Sequence, residues 1–196
     1  MSSKINLFSI VRAHFNTLRD PQTKKRSVAD WLTFYAGPVV GALLLMRLHL
    51  RINNDYVNII VSMLSIFVGL LLNMIVVLFD IIRSEQKRAN KVTVLEEVLA
   101  NISFTIVLSI FTIGVVLLTQ LNFGRPEWQP YIEDGREVVN FISFVFLILF
   151  LLTLLMVVKR MYLLFMDEVE TAKKEIIAQQ QKKDDALAAL QANPLA

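Results

Sequence analysis

Long apolar runs and short charged intervals alternate four times along this chain. Uncharged stretches extend from Trp31 to Met46, Tyr56 to Phe79, Val98 to Gly124 and Val138 to Val158. A helix rises 1.5 Å per residue, so about 20 residues cross a ~30 Å hydrocarbon core. The last three runs exceed that length. The first reaches it when its tail Arg47-Leu-His-Leu50 is counted, because a terminal Arg can snorkel to the headgroups. The pattern predicts an all-α polytopic membrane protein, a four-helix transmembrane bundle over residues 31–163 with spans near 31–50, 56–82, 98–121 and 138–160. A cytoplasmic N-terminal arm (1–30) precedes it, and a long cytoplasmic C-terminal helix (164–196) continues the fourth span.

The cations give that bundle an orientation. The arm carries Lys4, Arg12, Arg19, Lys24, Lys25 and Arg26; the interval after the second run carries Arg83, Lys87, Arg88 and Lys91; the segment past the fourth carries Lys159, Arg160, Lys173, Lys174, Lys182 and Lys183. The other two loops hold only Arg47, Arg51, Arg125 and Arg136 of the chain's 20 Lys and Arg. By the positive-inside rule both termini are expected in the cytoplasm.

Composition changes this picture mainly by exclusion. The chain is 55% hydrophobic, and its 196 residues leave room for little beyond a bundle, so no separate catalytic domain is expected. The net charge of +3 arises from loops facing an anionic leaflet and predicts membrane-lipid contact rather than nucleic-acid binding. With no cysteine there is no disulfide, thiol nucleophile, thiolate metal site or palmitoylation. Charges interrupt every apolar stretch of the first thirty residues, so no signal peptide is expected. His14 and His49 fall on opposite sides of the membrane, and no metalloprotease, hydrolase or phosphate-loop motif occurs. No enzyme activity, metal or cofactor is predicted.

The arm reads as an amphipathic interfacial helix. Ile5, Phe8, Val11, Phe15 and Leu18 recur every three to four residues, with Lys4, Arg12 and Arg19 off the stripe. Such a helix either adsorbs to the inner leaflet, packs under the bundle or docks a partner. Asp20-Pro21 ends it.

Inside the runs, small and polar residues fall at helical spacing. The first holds Gly37-Pro38 and Gly41, predicting a kink and a Gly-x-x-x-Gly surface for close helix approach. At its outer end Arg47 and Arg51 share a face one turn apart, either a cationic mouth or snorkelling end residues. The second places Ser62, Ser65, Gly69 and Asn73 on one face; the third has Asn101, Thr105, Ser109 and Thr112; Asn140 and Ser143 open the fourth. In lipid such stripes lock helices or copies together, or line a hydrated pathway. Asp80, one turn before Arg83, reads as an i,i+3 ion pair at a boundary rather than a proton relay.

Two extramembrane features remain. The outer loop from Gln120 to Glu137, with Trp128 and Tyr131, is the sizeable outward surface, either an aromatic belt or a sensing element. From Arg136 to Asn193 there is no Gly or Pro, so the fourth helix can run unbroken for ~85 Å. Its cytoplasmic part carries a weak heptad seam through Met166, Val169, Lys173, Ile176, Gln180, Lys183, Leu187 and Leu190. With the basic loop Arg83, Lys87, Arg88 and Lys91, the cations Lys173 and Lys174 form the expected contact surface for a cytoplasmic protein.

A small cysteine-free four-span chain, with Asn-Ile-Ser-Phe opening the third span, Val158-Lys-Arg-Met-Tyr-Leu-Leu-Phe165 leaving the fourth and a charged cytoplasmic helix, resembles the membrane subunits of the Kiwa antiphage defence system. The resemblance is one of size, topology and texture over the whole chain and transfers no residue role. It implies a bacterial inner-membrane homo-oligomer, a tetramer, that senses a disturbance caused by phage and works through a cytoplasmic partner. Two functions compete: a non-enzymatic oligomeric sensor or scaffold that recruits or restrains an effector, and a pore that depolarises the membrane through the Ser and Asn stripes.

Overall fold

A computed structural model describes residues 7–17, 32–84, 89–120 and 129–192, with side chains over 7–17, 32–81, 94–120, 135–185 and at Leu187. The elements in order are α1 (Leu7–Thr17), a π turn (Leu32–Ala36) running into α2 (Gly37–Arg47), α3 (Asn54–Ser84), α4 (Ala89–Leu118) and α5 (Gln129–Ala192). No strand occurs among the described residues. Residues up to Val157 form one compact unit, and Val158 onward forms another.

Three segments, Asn54–Ile81, Val94–Leu118 and Gly135–Asp185, are long and apolar enough to cross a membrane. Their surfaces agree with that medium. On α3, Ile59, Ile66, Leu70 and Val76 are all more than half exposed, an apolar face too continuous for a water-soluble monomer. The fourth apolar stretch, Leu32–Arg47, is shorter.

That shortness corrects the expected span 31–50, because the tail counted toward it is not helical. The helix stops at Arg47 in a Schellman closure: the Leu50 amide donates to the Leu45 carbonyl at 3.2 Å and the His49 amide to Met46 at 2.9 Å, with His49 in the left-handed region at φ 56°. Arg47 and Arg51 therefore do not share a helix face. Upstream, Pro38 cannot donate an amide, and its ring would crowd the carbonyl four residues back. The wide π turn over Leu32–Ala36 precedes it, so the expected disturbance at Gly37-Pro38 takes the form of a change of helix type.

α3 starts on an Asn cap, with Asn53 Oδ1 accepting from the Tyr56 amide at 2.9 Å. α3 and α1 both pack on α4. The core cluster joins Leu64 of α3, Phe104 and Leu108 of α4 and Phe150 of α5, with Ile10 and Val11 of α1 packed against it. A second cluster of Ile52, Val57 and Val116 lies toward the opposite end of α4. α5 begins at Gln129, so half of the segment expected to be the outer loop Gln120–Glu137 is helical. Pro130 is tolerated there because first-turn amides have no helical partner to lose.

Candidate functional site

Two polar sites and one unpartnered face stand out in the first unit. The first site is built by α1 and the start of α4. His14 is only 1% exposed; its ring stacks on Phe104 at 3.9 Å with 6° between planes, and Nδ1 lies 2.8 Å from Asn101 Oδ1. That oxygen is an acceptor, so the arrangement calls for the proton on Nδ1. The Thr17 hydroxyl reaches the same oxygen at 2.9 Å and the His14 carbonyl at 2.7 Å. Asn101 thus ties α1 to α4.

This rotates α1 relative to its expected stripe. Val11 faces inward as anticipated, but Phe8 is 77% exposed, and the inward face is Ile10, Val11, His14 and Thr17. Hydrophobicity could not reveal it, because the most buried residue of the helix is a histidine whose partner lies 87 positions away.

Above Asn101 the α4 stripe is buried and satisfied within its own helix. Thr105 donates to the Asn101 carbonyl at 2.7 Å, Ser109 to Thr105 at 2.8 Å and Thr112 to Leu108 at 2.7 Å. On α5, Ser143 donates to Val139 and Thr153 to Phe150. These hydroxyls neither bridge helices nor require water, since each gives its proton to a carbonyl three or four residues back.

The α3 stripe behaves differently. Ser62, Ser65, Gly69 and Asn73 are all exposed on the outside of the chain. Ser65 bonds back to the Val61 carbonyl, a Cβ built at Gly69 would meet nothing within 4 Å, and the Asn73 amide has no partner among the described residues. The α2 glycines divide. A Cβ at Gly41 would lie 2.8 Å from Ile148 Cδ1, so this glycine serves a close approach inside the chain, whereas Gly37 meets only the Leu32 carbonyl at 3.9 Å.

The second polar site lies about 27 Å along α4 from Asn101, from the rise over the eighteen steps to Thr119. A cavity of about 700 Å³ opens there, lined by Arg51, Asn53, Asn54, Asp55, Thr119, Gln120, Arg136 and Asn140 over Ile52. Arg51 pairs with Glu137 at 3.3 Å, both well exposed, a contact worth at most about 1 kcal/mol. Asn140 is 4% exposed, and its Oδ1 is buried without a hydrogen-bond partner. Sequence reading marked Asn140 as a polar opening to its span and Arg136 as one of a few outer cations. Nothing in their spacing joined them to Asn53 or Gln120.

Of the expected contact residues, Lys173 and Lys174 are exposed on α5, Lys174 pairing with Glu170 at 2.8 Å. The side chains of Arg83, Lys91 and Tyr131, and residues Lys87, Arg88 and Trp128 altogether, lie outside the described residues, which also leaves the Asp80–Arg83 pair outside them. No protein-family model, curated protein or solved structure matches this chain.

Proposed function

We propose that this protein is a non-enzymatic scaffold or sensor of the bacterial inner membrane that recruits or restrains a cytoplasmic effector. In this reading both termini are cytoplasmic and the bundle has four spans, the short Leu32–Arg47 helix crossing where the bilayer thins locally. Copies associate through the outward face of α3, because an Asn73 amide facing hydrocarbon is best satisfied by the same face of a neighbour.

The observation that carries the scaffold reading is the helix beyond Val158. It continues to Ala192, about 50 Å at the helical rise, and forms a unit of its own. Along it Met166, Val169, Ile176, Ile177 and Leu187 are about half exposed between Lys and Glu side chains. Apolar residues at this spacing on a charged helix suit pairing with other helices, while its exposed charges can steer a soluble partner. The setting in antiphage defence and the tetrameric state rest on the resemblance alone.

A pore is the competing reading, favoured by the same outward α3 stripe, which in a ring of copies would line the axis. Affinity capture from cells on the intact protein, beside conductance of the purified protein in planar bilayers, separates them. A stoichiometric cytoplasmic partner without conductance supports the scaffold. Conductance without a partner overturns it.

A further inference from the structure

The scaffold reading gives α1 no role, yet the place where α1 is held on α4 decides which medium its outer face meets. Glu96 and Glu97 are the last charged residues before the uncharged run that begins at Val98. Ionised carboxylates stay out of hydrocarbon, so they mark the headgroup level of this helix. Asn101, which holds His14 and Thr17, lies four steps past Glu97; Phe104, which stacks on His14, lies seven. At the helical rise these are depths of about 6 and 10 Å. Interfacial amphipathic helices sit at ~5–10 Å. Buried contacts therefore fix α1 at that depth. The π turn ahead of α2 reaches the same level: Phe34 meets His14 edge-on with ring centroids 6.4 Å apart, and Tyr35 stacks on Phe15 at 5.5 Å.

The side of α1 turned away from α4 has two edges. On one, Phe8 and Phe15 lie two turns apart and are 77% and 38% exposed, beside the exposed Leu32 and Tyr35 of the π turn. Apolar surface of this kind is costly in water and costs nothing against acyl chains. On the other edge Ser9, Arg12 and Asn16 are exposed at helical spacing. The long stem of Arg12 lets its guanidinium reach the headgroups, where it matches a phosphate oxygen pair. A soluble protein covering the aromatic edge would have to displace lipid from beneath the headgroups.

We propose that this face of α1 is a lipid-binding surface. Acyl chains of the leaflet at the Val94 end of α4 pack on Phe8 and Phe15, and Arg12 holds the phosphate of an anionic phospholipid. The inference rests on α4 being a membrane span.

The test uses the full-length protein in lipid vesicles, with Trp31 and Trp128, its two tryptophans, replaced by Phe. A single reporter is then introduced as Phe8→Trp, or as Ile110→Trp on the exposed side of α4. Lipids brominated in the acyl chain are expected to remove most of the Phe8→Trp emission, as they do for Ile110→Trp, while aqueous iodide removes little. Should Phe8→Trp fail to fold, Phe15→Trp gives the same readout. Quenching of Phe8→Trp by iodide alone would make the face a docking surface for a soluble partner, and protection from both quenchers would place it against another copy. Either result, with Ile110→Trp quenched by the brominated lipid, overturns the proposal and leaves the span standing. If Ile110→Trp also escapes the brominated lipid, the span falls with it. With bromine carried by phosphatidylglycerol or by phosphatidylcholine at equal fraction, the anionic lipid should be enriched around Phe8→Trp. Arg12→Gln is expected to lower that enrichment about five-fold, the equivalent of ~1 kcal/mol for one surface cation. An unchanged enrichment overturns the phosphate contact at Arg12.

Discussion

At the residue scale, two positions carry more of the fold than their chemistry suggests. His49 closes α2 in a left-handed conformation that costs an L residue roughly 1–2 kcal/mol and a β-branched one the most. Gly is indifferent to it, so melting in detergent should rank His49→Gly at or above the parent and His49→Val below it. The gap from Gly to Val should be about 1–2 kcal/mol; equal midpoints would mean that the closure does not hold the helix end. Asn101 illustrates the limit of sequence reading at this scale. Its place on a polar stripe was legible, since Asn101, Thr105, Ser109 and Thr112 follow one another at steps of four, four and three. Its bond to His14 was not, because a lone histidine on an amphipathic arm carries no mark of its distant partner. The Asn140 cavity was hidden for the same reason, being assembled from three chain segments.

At the element scale, stripes with one sequence signature reach two different fates. Those of α3 and α4 read alike, small and hydroxylated at helical spacing, but the α4 stripe faces the chain's interior and the α3 stripe faces out. Periodicity fixes which residues share a face and says nothing about where the face points. Gly41 and Gly69 make the contrast testable. Gly41→Ala pushes against Ile148 Cδ1, forcing an off-rotamer side chain at about 1 kcal/mol. Ile148→Val, which lacks that atom, should remove most of the cost, a coupling that a double-mutant cycle of thermal stabilities reads directly. A purely additive cycle would discard the close approach. Gly69→Leu should leave single-chain stability unchanged while weakening association between copies, measured by mass in nanodiscs. Asn73→Leu should shift that association by about 1 kcal/mol without creating ion flux; altered conductance at constant oligomer size would move the assignment to the pore.

At the scale of the whole molecule, the two units answer different demands. Apolar run lengths made the three segments long and apolar enough to cross a membrane legible, because hydrocarbon thickness sets a length that few other constraints imitate. The short first one was overextended by counting Leu48 to Leu50, whose backbone turns instead. The helix past Val158 was legible from its lack of Gly and Pro, whereas what it contacts is absent from its own sequence. Met166 and Val169 expose apolar surface near its start, and the charged residues from Asp167 to Gln181 are exposed or half-exposed. Ionic steering by such a surface weakens as salt shortens the Debye length, ~10 Å at 0.1 M. Capture of a partner should therefore fall as salt rises from 0.1 to 0.5 M if the charges mediate it. Truncation after Phe165 isolates the coupling: insertion and the membrane-embedded association should persist, since α3 and its stripe are untouched, while activity in a cell-based assay is lost. Full activity of the truncated chain would leave too little cytoplasmic surface to hold an effector, and the pore would then be the better account.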